Sequence, residues 1–391
     1  GIFQSSEKEE EGTCPPIKTS GNCRIWTGVN HPQFLFPELN GECPELTQKI
    51  NYGIALSGGG CRALTYSIGT LRGLHMMNLL NNARYVSTNS GSSWLNGPAA
   101  HTTKSMTEFL GEYLPPEQCS MKRLKHIDHK SHAFFLCDGH NVHTFLRELR
   151  ESLLHQDGDD PRGFWSQAIG HIFFKRYDLN NYDYLPVMTG SNEDFITSET
   201  GVPINKMTPY DPSRYPFPIL NASVVVRGHE ISAPLEFTPL YYGTPGYFKY
   251  EDDHKSFAVG GCLIEPFGFT STPSSQQRMS IKNILGMSEI TSLTETSVLE
   301  GIASPSVFTV EVPKPDTVIS ISEQAGISSS AIAQVVAHSV STSQGKRLHM
   351  TVKPLWNPLS GETHEMILSD GLGGDNTAIH SLLRRKVQKI C

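Results

Sequence analysis

The chain has 391 residues, so one large or two medium domains are expected. A hydrophobic share of 38% with 18% charged residues excludes a disordered, charge-rich chain, and 34 Gly with 25 Pro predict many loops without a collagen-like or low-complexity composition. The 32 Lys and Arg against 39 Asp and Glu give a net charge of −7, which argues against a nucleic-acid binder and against strong global attraction to anionic membranes.

Residues 1 to about 48 are polar and rich in Pro, Gly, Cys and charge. They are expected to form a Cys-containing extension wrapped on the remainder, residues 49–391. Three of the eight cysteines, Cys14, Cys23 and Cys43, fall here. No C-x-x-C pair occurs, which argues against a zinc knuckle or a thioredoxin-type motif. The cysteines suit disulfides in an oxidising compartment as well as reduced thiols. A secreted or lumenal setting, peripheral at membranes, is favoured over a cytosolic one. No run of 18 apolar residues predicts a transmembrane helix. Gly1 in place of Met, with no apolar signal core, suggests a processed chain or a piece of a longer one.

Tyr52, Ile54, Ala55 and Leu56 predict a short buried strand. The turn Ser57-Gly58-Gly59-Gly60 follows it. Leu64, Ile68, Leu71 and Leu74 then recur at helical spacing, and Asn81-Asn82 should end that helix. Tyr85–Thr88 predicts a second strand, and Asn89-Ser90-Gly91-Ser92 a sharp turn into another helix. Strands alternating with helices point to an α/β fold: a mostly parallel central sheet with helices on both faces. Helices are expected at 141–154, 163–174 and 329–339, and strands at 216–226 and 366–369. Inserts are expected at about 100–210 and, Ser/Thr-rich and mobile beside the site, at 269–302.

Three motifs carry chemistry. The triple glycine at a helix start can aim backbone N–H groups at an oxyanion or a phosphate, and can equally be a tight βα turn. No Gly-Lys-Ser/Thr follows it, which rejects a P-loop. Ser90 sits where a strand-to-helix elbow would expose a nucleophilic hydroxyl. Asp370 ends a late strand, where open α/β sheets place functional groups.

Together, Gly-Gly-Gly-x-Arg, then Ser-Gly-Ser about thirty residues later, then Asp-Gly near the end, resemble the patatin and cytosolic phospholipase A2 superfamily. SGGGCRAL and STNSGSSW are most similar to the catalytic domain of the cytosolic phospholipase A2 and fungal lysophospholipase branch. PFPILNAS, APLEFTPLYYG and the tail SDGLGGDNTAIHSLLRR add to the likeness, which covers about 50–391. The resemblance implies a serine lipolytic acyl hydrolase acting on phospholipid or lysophospholipid substrates at a membrane or micelle surface, without cofactor or metal. It implies Ser90 as nucleophile, Asp370 as its partner in a Ser-Asp dyad, Gly59 and Gly60 as oxyanion-hole donors, and Arg62 on the substrate phosphate. Leu372, where the family has a second Gly, and Thr88, where the elbow usually has Gly, depart from the pattern. A catalytically inactive lipid-binding homologue and an acyltransferase on the same fold are alternatives. So is a Ser90, Asp370, His380 triad, disfavoured by the order of the motifs and by the helical setting of His380.

Other residues read as structural. His126, His129 and His132 fit a solvated basic loop better than a metal site. The run at 121–130 reads as a solvated face, with contact to anionic lipid as its other reading. The Asn221-Ala222-Ser223 sequon lies at the end of an apolar strand and reads as structural. Cys61 reads as a small buried filler. Val387 and Ile390 look like the start of a further parallel strand, so Cys391 is expected either to be tied down by a disulfide or to be continued by another segment.

Overall fold

The computed structural model describes residues 18–124, 126–128, 130–137, 147, 163–225, 232–251, 256–285, 305–331 and 351–391. The helix expected at 141–154 apart from Arg147, most of that at 329–339 and the later part of the 269–302 insert lie outside these residues. The strands are β1 (Ser20–Thr27), β2 (Ile50–Leu56), β3 (Ala83–Asn89), β4 (Leu185–Met188), β5 (Met207–Tyr210), β6 (Phe217–Val225) and β7 (Ser232–Phe237). They continue with β8 (Tyr242–Glu251), β9 (Ser256–Ile264), β10 (Ser306–Pro313), β11 (Val352–Asn357), β12 (Glu362–Asp370) and β13 (Lys389–Ile390). Among the described residues, β4 and β5 pair with each other and the other eleven strands form one sheet.

The main sheet runs β10-β1-β9-β8-β7-β6-β3-β2-β13, with β12 added to β6 and β11 to β12. It is mixed, which corrects the mostly parallel sheet expected from the sequence. Among the described residues of this sheet, only β13–β2, β2–β3 and β3–β6 pair in parallel. The ladders β6–β7, β7–β8 and β8–β9 are antiparallel. The reason is connection length: a parallel neighbour needs a crossover of a dozen or more residues, and the links after β6, β7 and β8 are much shorter. The alternation of strand and helix around residues 50–100 does not extend past β6.

Helices do cover both faces at β3. Consecutive strand residues point to opposite faces. Ser87 Oγ meets Ser381 Oγ of helix His380–Arg384 at 2.7 Å, while Thr88 Oγ1 meets Ser93 Oγ of helix Ser93–His101 at 3.1 Å. Helix Gly60–Met76 links β2 to β3 and buries Leu64, Ile68, Leu71 and Leu74, the apolar stripe read from the sequence. Burying each leucine contributes about 1.5–3 kcal/mol. The helix ends before Asn81: Asn78 takes φ +56°, a left-handed conformation that asparagine tolerates.

The N-terminal stretch contributes an internal strand. β1 lies between β10 and β9, with Cys23, Ile25 and Trp26 buried. Glu38 is fully buried as well and pairs with Arg385, Nε to Oε1 2.9 Å. Arg385 also reaches Glu236 of β7 at 2.7 Å and the Tyr241 hydroxyl. One guanidinium thereby ties the N-terminal stretch, the central sheet and the last helix together. At the end of the chain β13 pairs in parallel with β2, and Cys391, exposed and with a free thiol, bonds through its backbone to Gly53 and Ala55.

β6 organises the region around Ser90. Along one edge its first half, Phe217–Asn221, pairs in parallel with β3, and its second half, Ala222–Val225, pairs antiparallel with β12. β7 covers the other edge over Leu220–Val225, so β3 and β12 must share the first. They run toward each other along it and end tip to tip, Asn89 opposite Asn221 and Asp370 opposite Ala222.

Candidate active site

Where β3 ends, Ser90 turns the chain with φ +52°. A non-glycine residue in this region stores roughly 1–3 kcal/mol of strain, and such strain concentrates at functional sites. The turn Ser90–Ser92 leads into helix Ser93–His101. Gly91 is required here, because a Cβ on it would collide with the Gly60 carbonyl. Gly58 lies against the same turn: a Cβ on it would come within 2.9 Å of Ser90 Cβ and would overlap Asn376 Oδ1. The two glycine-bearing turns are therefore packed backbone to backbone. Gly59 and Gly60 have φ +144° and +61° and open helix Gly60–Met76, whose first N–H groups lack partners within the helix.

Ser90 Oγ donates to Asp370 Oδ2 at 3.1 Å. Asp370 is 3% exposed. Its Oδ1 accepts the Leu372 N–H at 2.8 Å, and its Oδ2 also accepts the Ala331 N–H at 3.1 Å. Burial raises its pKa above the usual carboxylate value, opposed by these two backbone donors and by Ser90. The carboxylate is thus a stronger base than a solvated one. Leu372, a departure from the family pattern, holds Asp370 through its backbone and leaves its side chain exposed. Thr88, the other departure, is fully buried and accepts from Asn96 Nδ2 at 3.2 Å.

No histidine is hydrogen-bonded to Ser90 or Asp370 among the described residues. The His380 side chain is exposed and its backbone N–H donates to Asp375 Oδ2 at 2.8 Å, so the triad reading gains no support. Arg62 lies in the first turn of helix Gly60–Met76, exposed and without an ion-pair partner among the described residues. Asn221 is a structural residue: its amide donates to Ser87 Oγ at 2.9 Å and to the Thr88 carbonyl at 2.8 Å, and its side chain is buried.

Two residues differ from their sequence reading. Cys61 is exposed at the helix start rather than buried, because the glycines ahead of it lift this turn to the surface. His132 is fully buried, stacked on Phe109 at 4.9 Å with Nδ1 3.1 Å from the Tyr177 hydroxyl, and burial pushes its pKa down to about 3. His129 lies outside the described residues. Among the described residues no group of three or more His, Cys, Asp or Glu side chains could hold a metal. None of the described helices is long and apolar enough to cross a membrane.

Sequence reasoning missed Ser328, whose hydroxyl accepts the Ser90 N–H at 3.1 Å, and Ala331. A helix, Ile321–Ser328, ends at Ser329, where the helix expected at 329–339 was to begin, and beyond Ala331 that expected helix lies outside the described residues. The run of serines at 328–330 was the available signal. A small apolar cavity of about 30 Å³ between β8, β9 and the β11–β12 hairpin is lined by Val259, Ile264, Phe269, Trp356 and Met366 among others. Neither Ser90 nor Asp370 lines it, and it has room for little more than a water.

No protein-family model matches the chain. No curated protein matches it either. Among solved structures it is similar to human GIVD cytosolic phospholipase A2, at 14% identity and TM-score 0.42, over 90% of this chain and 44% of that one. A complex of that human enzyme with methyl gamma-linolenyl fluorophosphonate inhibitor and terbium chloride gives 16% identity and TM-score 0.37, over 93% and 42%. A complex with methyl gamma-linolenyl fluorophosphonate gives 16% and 0.29, over 63% and 28%. The chain spans less than half the length of each of these proteins.

Proposed function

We propose that this protein is a serine acyl hydrolase that cleaves fatty-acyl esters of glycerophospholipids or lysophospholipids, with Ser90 as nucleophile and Asp370 as base. The observation that carries the reading is the 3.1 Å bond from Ser90 Oγ, on a positive-φ elbow, to a buried carboxylate beside a glycine-rich helix start. The motif resemblance supports the lipid ester as substrate class.

In this reading Ser90 Oγ attacks the ester carbonyl carbon while its proton passes to Asp370 Oδ2. The carbonyl oxygen takes up the negative charge and faces the N–H groups of Gly59 and Gly60 at the positive end of the helix dipole. Collapse breaks the ester C–O bond, and the leaving alkoxide takes the proton from Asp370. Water then attacks the acyl-enzyme and gives a proton to Asp370; collapse breaks the bond from Ser90 Oγ to the acyl carbon, Ser90 Oγ takes that proton back, and the fatty acid leaves. Arg62, exposed one turn from these donors, is suited to a phosphate, since a guanidinium can bind two of its oxygens at once.

The test is a panel of phospholipids, lysophospholipids and neutral esters with mass-spectrometric detection of products. Wild type should release fatty acid, and Ser90→Ala should lose more than about 10³-fold in turnover. Retained turnover in Ser90→Ala rejects the reading. Acyl transfer to an added alcohol in preference to water would assign an acyltransferase instead.

A further inference from the structure

We propose that Ser328 is a positioning residue: its buried hydroxyl holds the backbone of the Ser90 elbow in its reactive conformation and takes the Ser90 N–H out of the oxyanion hole. The inference rests on the functional reading above and assigns a role to a residue outside the recognised motifs.

Ser328 is fully buried at the end of helix Ile321–Ser328. Its Oγ has three partners: the Ser90 N–H at 3.1 Å, Ser93 Oγ at 2.9 Å and the Asn221 carbonyl at 2.6 Å. A hydroxyl has one proton and two lone pairs. The Asn221 carbonyl can only accept and the Ser90 N–H can only donate. The Ser328 proton therefore goes to Asn221, and Ser93 must donate to Ser328. Ser93, its proton spent, can only accept from Thr88 Oγ1 at 3.1 Å, and the one Thr88 proton is shared with the Ile219 carbonyl at 3.4 Å. The chain Ser93 to Ser328 to Asn221 thus has a single direction and leaves Ser328 saturated.

Three consequences follow for Ser90. Its N–H is occupied, so the donors for a developing oxyanion come from the glycine turn. Its φ of +52° is held by a bond that relaxation of the backbone would break. The segment that supplies this bond also supplies the Ala331 N–H to Asp370 Oδ2, so one short stretch sets both partners of the 3.1 Å contact. Ser329 anchors the stretch: it accepts the indole N–H of Trp94 at 2.8 Å and of Trp165 at 3.1 Å, and donates to the Ala325 carbonyl at 2.7 Å.

The experiment compares Ser328→Ala, Ser328→Thr and Ser329→Ala by steady-state kinetics, thermal unfolding and hydrogen exchange at the Ser90 amide. Ser328→Ala should lower kcat about 10–100-fold with KM unchanged, the scale expected when reacting groups are misplaced by an ångström or less. It should also speed exchange at Ser90, and Ser328→Thr should restore both. Ser329→Ala removes bonds in the same stretch without touching Ser90; it should lower Tm and cost clearly less kcat than Ser328→Ala. Wild-type kcat and unchanged Ser90 protection in Ser328→Ala would overturn the proposal, as would an equal kcat loss in Ser329→Ala. If the wild type hydrolyses no ester, the functional reading fails, and the Ser90 amide alone decides: faster exchange in Ser328→Ala supports the positioning role, and unchanged exchange rejects it.

Discussion

Asn89 and Asp370 face consecutive residues of one strand, Asn221 and Ala222 of β6, although they belong to strands running in opposite directions. The residue after Asn89 is Ser90. Two strand tips meeting on a shared edge bring its hydroxyl to the Asp370 carboxylate, and the sheet's own register holds the pair.

Burial raises the Asp370 pKa, and this gives the pH dependence a sign. A general base must be ionised, so kcat/KM should fall as pH drops through the raised value. The acid limb should therefore lie above the ordinary carboxylate range. Stability moves the other way: the contribution from this group is fully present below its unfolded pKa and is lost as pH rises through the folded one. A pH–rate profile on a neutral ester, with urea unfolding across the same range, checks both signs.

Gly91→Ala should abolish turnover while the chain still folds. The added Cβ meets the Gly60 carbonyl, which is backbone and can give way only by moving the glycine turn. Overpacking of this kind costs about 1–3 kcal/mol. Circular dichroism should be native and turnover at least about 100-fold lower, since a displacement of an ångström is enough for that loss. Wild-type turnover would show that the turn is not part of the chemistry.

Arg62→Lys should reduce turnover of phospholipids more than that of a neutral short-chain ester. Lysine keeps the charge but cannot make the two-pronged contact with phosphate. Equal losses on both substrates would identify Arg62 as a structural residue.

Arg385→Met should cost about 3–5 kcal/mol, because it strands Glu38 in a buried site without its cation and leaves Glu236 with Arg384 alone. Urea unfolding measures it. A loss below about 1 kcal/mol would mean that water reaches the cluster.

What the sequence determined by itself was local. The glycine turn, the helix behind it and the Ser90 elbow each lie within a short span, so glycine placement and a 3.6-residue apolar period identify them. Asp370 was legible through motif resemblance. What only the tertiary structure decided depends on partners far apart in the chain. Ser90 and Asp370 are 280 residues apart, and Arg385 and Glu38 are 347. The antiparallel approach of β12 leaves no periodic mark, because period-two alternation reads the same in either strand direction. Ser328 was illegible for a similar reason: a serine in a run of serines gains meaning only when a backbone N–H from another element meets its hydroxyl in a site closed to water.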